Sequence, residues 1–190
     1  MPTKTEKQYD QQTLLCEQIF TSKNEDYGPS WRVLRYSSLI DQLYIKAKRI
    51  RTIDEKQKQL VADKIDGEFQ GLINYCAMAL IQHEIGPLTI SENGGDDENF
   101  EVLKKLYQAK IVEARSLMLK KNHDYGEVWR DMWLSSLSDL ILAKLWRIRK
   151  IIENNEKTTV SEGTESNLLD IINYAVFALI KLNETYESPN

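Results

Sequence analysis

Cysteine is nearly absent from this chain. Cys16 and Cys76 are its two, and lying far apart they form neither a close-spaced metal-ligand pair nor a disulfide framework. Long apolar runs are missing as well. The longest, such as YAVFALI at 174–180, fall far short of a membrane span, so no membrane partner is expected. There is no positive excess either: the formal net charge is −4, which argues against a broad nucleic-acid surface while leaving room for a local basic cluster. The opening MPTKTEKQYDQQ has no apolar core of the kind a signal peptide needs. These absences together predict a soluble protein in a reducing, cytoplasmic setting. Well-marked catalytic signatures are lacking too, with no G-x-x-x-x-G-K, G-x-G-x-x-G, H-E-x-x-H or C-x-x-C.

What the chain does have is itself, twice. KNEDYGPSW at 23–31 returns as KNHDYGEVW at 121–129. Laying 23–51 over 121–149 without a gap gives 15 identities in 29 positions, including Lys23/Lys121, Asp26/Asp124, Trp31/Trp129, Lys46/Lys144 and Arg49/Arg147. LINYCAMALI (72–81) matches IINYAVFALI (171–180) with the offset grown from 98 to 99, so the two connections differ by one residue. Two copies with so long a period imply a pseudo-twofold pair rather than a solenoid.

Each copy reads as three helices. In LSSLSDLILAKLWRIRKIIE (134–153) the apolar positions return at threes and fours, and ESNLLDIINYAVFALIKL (165–182) is apolar nearly all round, as a buried helix is. A further helix precedes each repeated phrase: QQTLLCEQIFTS in the first copy, FEVLKKLYQAKIVEARSLMLKK in the second. Gly28 and Gly126 are placed to end those helices, with Asn122–Gly126 expected as a turn; Pro29 suits the entry to the next element, and Ser161 is a candidate N-cap for the last helix. The Gly-, Asn- and Asp-rich IGPLTISENGGDDEN divides the copies. The expectation is all-α: about six helices in one bundle, with a first repeat over 10–84, a linker over 85–99 and a second repeat over 100–182. Residues 1–8 and 185–190 carry no pattern and are expected to fray.

The chemistry-bearing residues admit two readings each. Asn167, Asp170 and Asn173, spaced by three, form a polar stripe on an otherwise apolar helix. A carboxylate there faces a ligand or pairs with a nearby cation, because an unpaired buried charge is costly. With Glu162 and Glu165 at the entry to the same helix, Asp170 is a candidate ligand for a hard cation such as Mg²⁺. Lys144 and Arg147, three apart, either neutralise phosphate or form a solvated face. In the repeated phrase, Asp124 is a candidate metal ligand or general base, and Lys121 and Asn122 candidate phosphate or sugar contacts. Tyr125 and Trp129 either stack on a base or fill the core. His123 is Glu25 in the other copy, so no shared role attaches to that position.

KNHDYG followed by W-R, then S-S-L-S-D-L-I-L-A-K-L-W-R-I, then V-S-E-G with D-I-I-N-Y-A-V-F, resembles the nucleotide modification associated domain 1 family; the second copy carries the likeness throughout and the first more weakly. The resemblance implies an all-helical domain associated with nucleotide or DNA-base modification. The layout is similar, more distantly, to MazG-type all-α nucleoside triphosphate pyrophosphohydrolases, which hold Mg²⁺ with E-x-x-E on one helix and E-x-x-D on the next. Here Glu162-x-x-Glu165 and Asp170 lie in one segment, and the preceding helix offers Asp139 beside Lys144 and Arg147.

The expected function is nucleotide binding, either with Mg²⁺-dependent phosphate-ester hydrolysis or as a non-catalytic nucleotide-binding or protein-interaction module. In the first form Glu162, Glu165 and Asp170 hold the metal, and Asp124 and Glu162 are the catalytic carboxylates. Lys121, Asn122, Tyr125, Lys144, Arg147 and Asn173 hold the nucleotide. A homodimer is compatible with either form. A third reading makes all these polar groups helix caps and buried pairs. Gly71 stands in the first copy where Asp170 stands in the second, and Asp66 replaces Glu165. The first copy is therefore expected to be degenerate and the working site to lie beside Asp124.

Overall fold

The computed structural model describes residues 2–56, 64–88, 99–155, 157 and 162–187, apart from the side chain of residue 187. They form six long helices with no strand among them: α1 (Lys4–Tyr27), α2 (Tyr36–Lys56), α3 (Ile65–Ile85), α4 (Phe100–Tyr125), α5 (Leu134–Glu153) and α6 (Thr164–Glu187). Short 3₁₀ turns, Ser30–Val33 and Val128–Arg130, join α1 to α2 and α4 to α5. The all-α expectation of two three-helix repeats therefore holds.

The ends of the helices differ from expectation. Residues 1–8 do not lack a pattern: Thr3 and Glu6 form a reciprocal capping box, so α1 starts at Lys4, and Thr5 is buried. At the other end α6 runs to Glu187. The repeated phrase is not a turn over Asn122–Gly126 either, for helix α4 continues through Tyr125 and stops at Gly126, whose φ of 63° is left-handed. Gly28 ends α1 with φ 69° and ψ −179°, a region essentially restricted to glycine. Ser161 lies outside the described residues.

The two repeats share one core. Helices α2, α3, α5 and α6 pack together around the pseudo-twofold, with α3 against α6 and α2 against α5. Helices α1 and α4 each lie across the last helix of both repeats. Buried apolar residues from all six helices, among them Cys16, Leu43, Ile73, Leu103, Leu145 and Ile172, form one cluster. Two matching buried hydrogen-bond relays cross it. The Tyr9 hydroxyl donates to Asn173 Oδ1 (2.8 Å), and Asn173 Nδ2 donates to the Ala114 carbonyl (3.0 Å). Tyr107 donates to Asn74 Oδ1 (2.7 Å), and Asn74 Nδ2 to the Cys16 carbonyl (3.1 Å). Each relay ties the first helix of one repeat, through the last helix of the other, to the first helix of that other repeat. Burial drives both phenols well above their usual pKa, so they stay neutral donors.

Candidate functional site

In the second repeat α4, α5 and α6 each contribute one member of an ion triad. Lys121 Nζ lies 2.5 Å from Asp170 Oδ1, and Lys144 Nζ 2.6 Å from Asp170 Oδ2. The Asp170 side chain is 5% exposed, so its charge is satisfied by these two ammonium groups rather than by water. Burial pulls the Lys121 pKa down, but the hydrogen bond and charge of Asp170, with smaller help from Tyr174 and Glu162, outweigh it and leave the pKa raised. The rest of the polar stripe on α6 is spent in the same inward way. Asn167 donates to the Gly163 carbonyl (2.8 Å) beside the start of the helix, and Asn173 belongs to the inter-repeat relay.

The expected three-carboxylate cluster does not come together. Glu165 precedes Asp170 by five residues, which places it roughly 140° around α6. Its exposed carboxylate faces His83 of α3 instead, at 3.2 Å. Glu162 is exposed and precedes the helix, and Asp124 is exposed on α4 with His123 Nδ1 at 3.1 Å. No group of three His, Cys, Asp or Glu side chains among the described residues is placed to hold a metal ion. With Asp170 committed to two lysines, these residues as placed do not fit the oxygen shell that Mg²⁺ requires. Of the other expected site residues, Arg147 and Tyr125 are exposed near Tyr174, and Asn122 donates weakly to Met118 Sδ (3.2 Å). Trp129 belongs to the core, stacked on Phe177 at 4.3 Å between ring centroids.

The first repeat holds the same frame without the carboxylate. Lys23 and Lys46 occupy the places of Lys121 and Lys144, and Gly71 that of Asp170. A Cβ built on Gly71 would lie 2.7 Å from Lys46 Cε, so the lysine lies against bare backbone. A cleft of ≈ 480 Å³ opens here, lined by Phe20, Tyr27, Trp31, Tyr75 and Met78 at apolar and aromatic positions and by Lys23, Lys46, Asn24 and Asn74 at polar ones. It runs into a second, more open basin of ≈ 570 Å³ that shares Lys23, Lys46, Gly67 and Gln70 and adds Lys64, Asp66 and Glu68.

A carboxylate survives in the first repeat one helical turn earlier, as Glu68 where the second repeat has Asn167. Glu68 makes a short ion pair with Arg49 and reaches Lys46 at 3.4 Å. Lys46 also lies 5.7 Å from the centre of the Tyr75 ring. Lys23 is exposed and has no ion-pair partner among the described residues. Burial raises the Tyr75 pKa, with a smaller contribution from Tyr27, and keeps its phenol neutral beside the cleft. The Trp31 indole donates to Asn24 Oδ1 (3.2 Å), fixing one wall.

The cleft thus lies in the repeat that the sequence suggested was degenerate. The signal was present in the sequence: Lys23 and Lys46 persist where the residue that neutralises their counterparts has become glycine.

No curated protein and no solved structure matches the chain. A family match is found twice, over residues 23–83 and over 121–182, more than half of the chain, and each segment begins at the lysine that opens the repeated phrase. The chain belongs to the nucleotide modification associated domain 1 family, present as two tandem copies.

Proposed function

We propose that this protein is a nucleotide-binding module acting in nucleotide or DNA-base modification, and that the nucleotide binds in the cleft of the first repeat. The observation that carries this reading is the pair Lys23 and Lys46, kept in a cleft that is also lined by Phe20, Tyr27, Trp31 and Tyr75. Such an arrangement suits a molecule with an anionic end and a flat apolar one. Lysines attract phosphate as point charges, and a base stacked on an aromatic ring gains about 1–3 kcal/mol. Tyr27 and Tyr75 are the rings available for stacking, and Asn24 and Gln70 supply polar edges along the wall.

The supported function is binding. Asp124, Glu162 and Glu165 lie on the second repeat, away from the residues that line this cleft, and the carboxylates that reach its basin are Asp66 and Glu68. The test is calorimetric titration of nucleoside mono- and triphosphates, with and without Mg²⁺, alongside product analysis. Binding that survives chelation, without turnover, is the expected result. Phosphate release dependent on Mg²⁺ and lost on Glu162→Gln would favour the hydrolytic reading instead. Failure of every nucleotide to bind would end the proposal.

A further inference from the structure

The two repeats present one frame in two states, and their difference locates the anionic group of the ligand. In the second repeat Asp170 sits between Lys121 and Lys144 at 2.5 and 2.6 Å. In the first, the equivalent lysines remain, the equivalent position is Gly71, and both lysines line open space. Glu68 does not restore the lost pairing. It stands one turn away, engages Arg49 closely, and reaches Lys46 only at 3.4 Å, against 2.6 Å for Lys144 and Asp170.

The geometry points to an oxyanion seat over Gly71, in which a phosphate monoester takes the place that the Asp170 carboxylate fills in the second repeat, between Lys23 and Lys46. Asp170 is by the same reasoning a built-in blocking group: the second repeat is a closed copy of the seat, held shut by its own side chain. This inference rests on the nucleotide reading above and sharpens it. It names the phosphate position and sets the stoichiometry at one ligand per chain. Glycine matters at 71 for lack of a side chain rather than for backbone freedom. The seat needs the space over α3 that Lys46 now partly covers, and Lys46 can lift away because its far end is flexible.

Two reciprocal substitutions test the seat with inorganic phosphate and nucleoside monophosphates as probes, read by calorimetry and by the NMR signals of the lysine side chains. Gly71→Asp installs the blocking carboxylate. It is expected to weaken phosphate binding roughly tenfold to a hundredfold, the loss of charge-assisted contacts to the lysines. Asp170→Ala removes the block from the second repeat and is expected to raise the stoichiometry from one to two, the new site perturbing Lys121 and Lys144. Lys23→Gln lies at the exposed end of the seat, leaves the core untouched, and is expected to weaken binding about tenfold.

If Asp170→Ala does not fold, Gly71→Asp and Lys23→Gln decide between them. Phosphate binding that persists unchanged in a folded Gly71→Asp, or that Lys23→Gln leaves intact, overturns the seat, as does wild-type protein that takes up no phosphate. The two claims fail separately. Nucleotide binding insensitive to Gly71→Asp sinks the seat and spares the nucleotide reading. Phosphate binding abolished by Gly71→Asp, with nucleotides binding no tighter than phosphate, keeps the seat and sinks the nucleotide reading.

Discussion

The first repeat keeps two lysines around an open cleft; the second keeps the same two lysines around a buried aspartate. Position 71/170 shows how little change separates an open cleft from a structural ion triad. Without the carboxylate the two lysines line a cleft, Lys46 lying over Gly71 and reaching Glu68 at 3.4 Å; with it, the same cations hold helices α4, α5 and α6 together. The repeats are alike where the molecule is held together, at the Tyr–Asn relays, and differ where a ligand would sit. Matching buried polar groups are expensive to lose singly, so duplication preserves them in both copies. Position 71/170 differs because the first copy has no side chain there to satisfy, whereas the second holds a buried aspartate paired with two lysines.

The largest expected effect probes what the repeats share. Asn173→Ala and Asn74→Ala each strand a buried tyrosine hydroxyl and a buried carbonyl, and each should cost about 3 kcal/mol in denaturant unfolding. Near-equal losses would confirm that the relays are equivalent. A loss confined to one would break the pseudo-twofold account of the core.

A middle-sized effect separates the repeats by pH. Arg130 is held partly by Glu184, which also accepts from Gln8 and Lys4. Those two hydrogen bonds, then the charges of Arg130 and Lys4, bring the Glu184 pKa from 4.5 to about 2 against the opposing effect of burial. A depressed carboxyl pKa stabilises the fold above its unfolded value. The contribution should thus be intact above about pH 4.5 and disappear as pH falls towards 2. The first-repeat counterpart Arg32 donates to the Gln82 amide oxygen and to the Gly86 carbonyl. Melting temperatures measured from pH 6 to pH 2 should decline less steeply in Glu184→Gln than in wild type; parallel curves would remove Glu184 from the acid response.

The smallest effect compares the two tryptophans. Trp31 donates to Asn24, whereas the Trp129 indole nitrogen is buried with no hydrogen-bond partner among the described residues. Replacement by Phe removes similar volume at both, so Trp31→Phe should cost about 1 kcal/mol more than Trp129→Phe by thermal unfolding. Equal costs would mean that the Asn24 contact contributes nothing.

Much of the fold was legible because helical periodicity and duplication are local or self-referential signals. The offset of 98 growing to 99, the apolar faces and the stop at Gly126 could all be read in one dimension. The capping box at Thr3 and Glu6 was equally visible in TKTE, and the absence of apolar pattern around it hid the start of α1. Asp170 stood out as a carboxylate on an apolar helix, but its role depends on Lys121 and Lys144, brought in from other helices. Glu165 is near Asp170 in sequence but faces His83 instead, since five residues along a helix turn a side chain to another face. The cleft was harder still. It arises from a missing side chain at Gly71, and a sequence shows the glycine without the space over it.

The central claim, one open seat and one closed, is tested most directly by NMR titration of a nucleoside monophosphate into the wild-type protein while following the side-chain ammonium and aromatic signals of both repeats. The account predicts saturable shifts at Lys23, Lys46 and Tyr75 with one ligand per chain, and unmoved signals at Lys121, Lys144 and Tyr174. Shifts confined to the second set would contradict it.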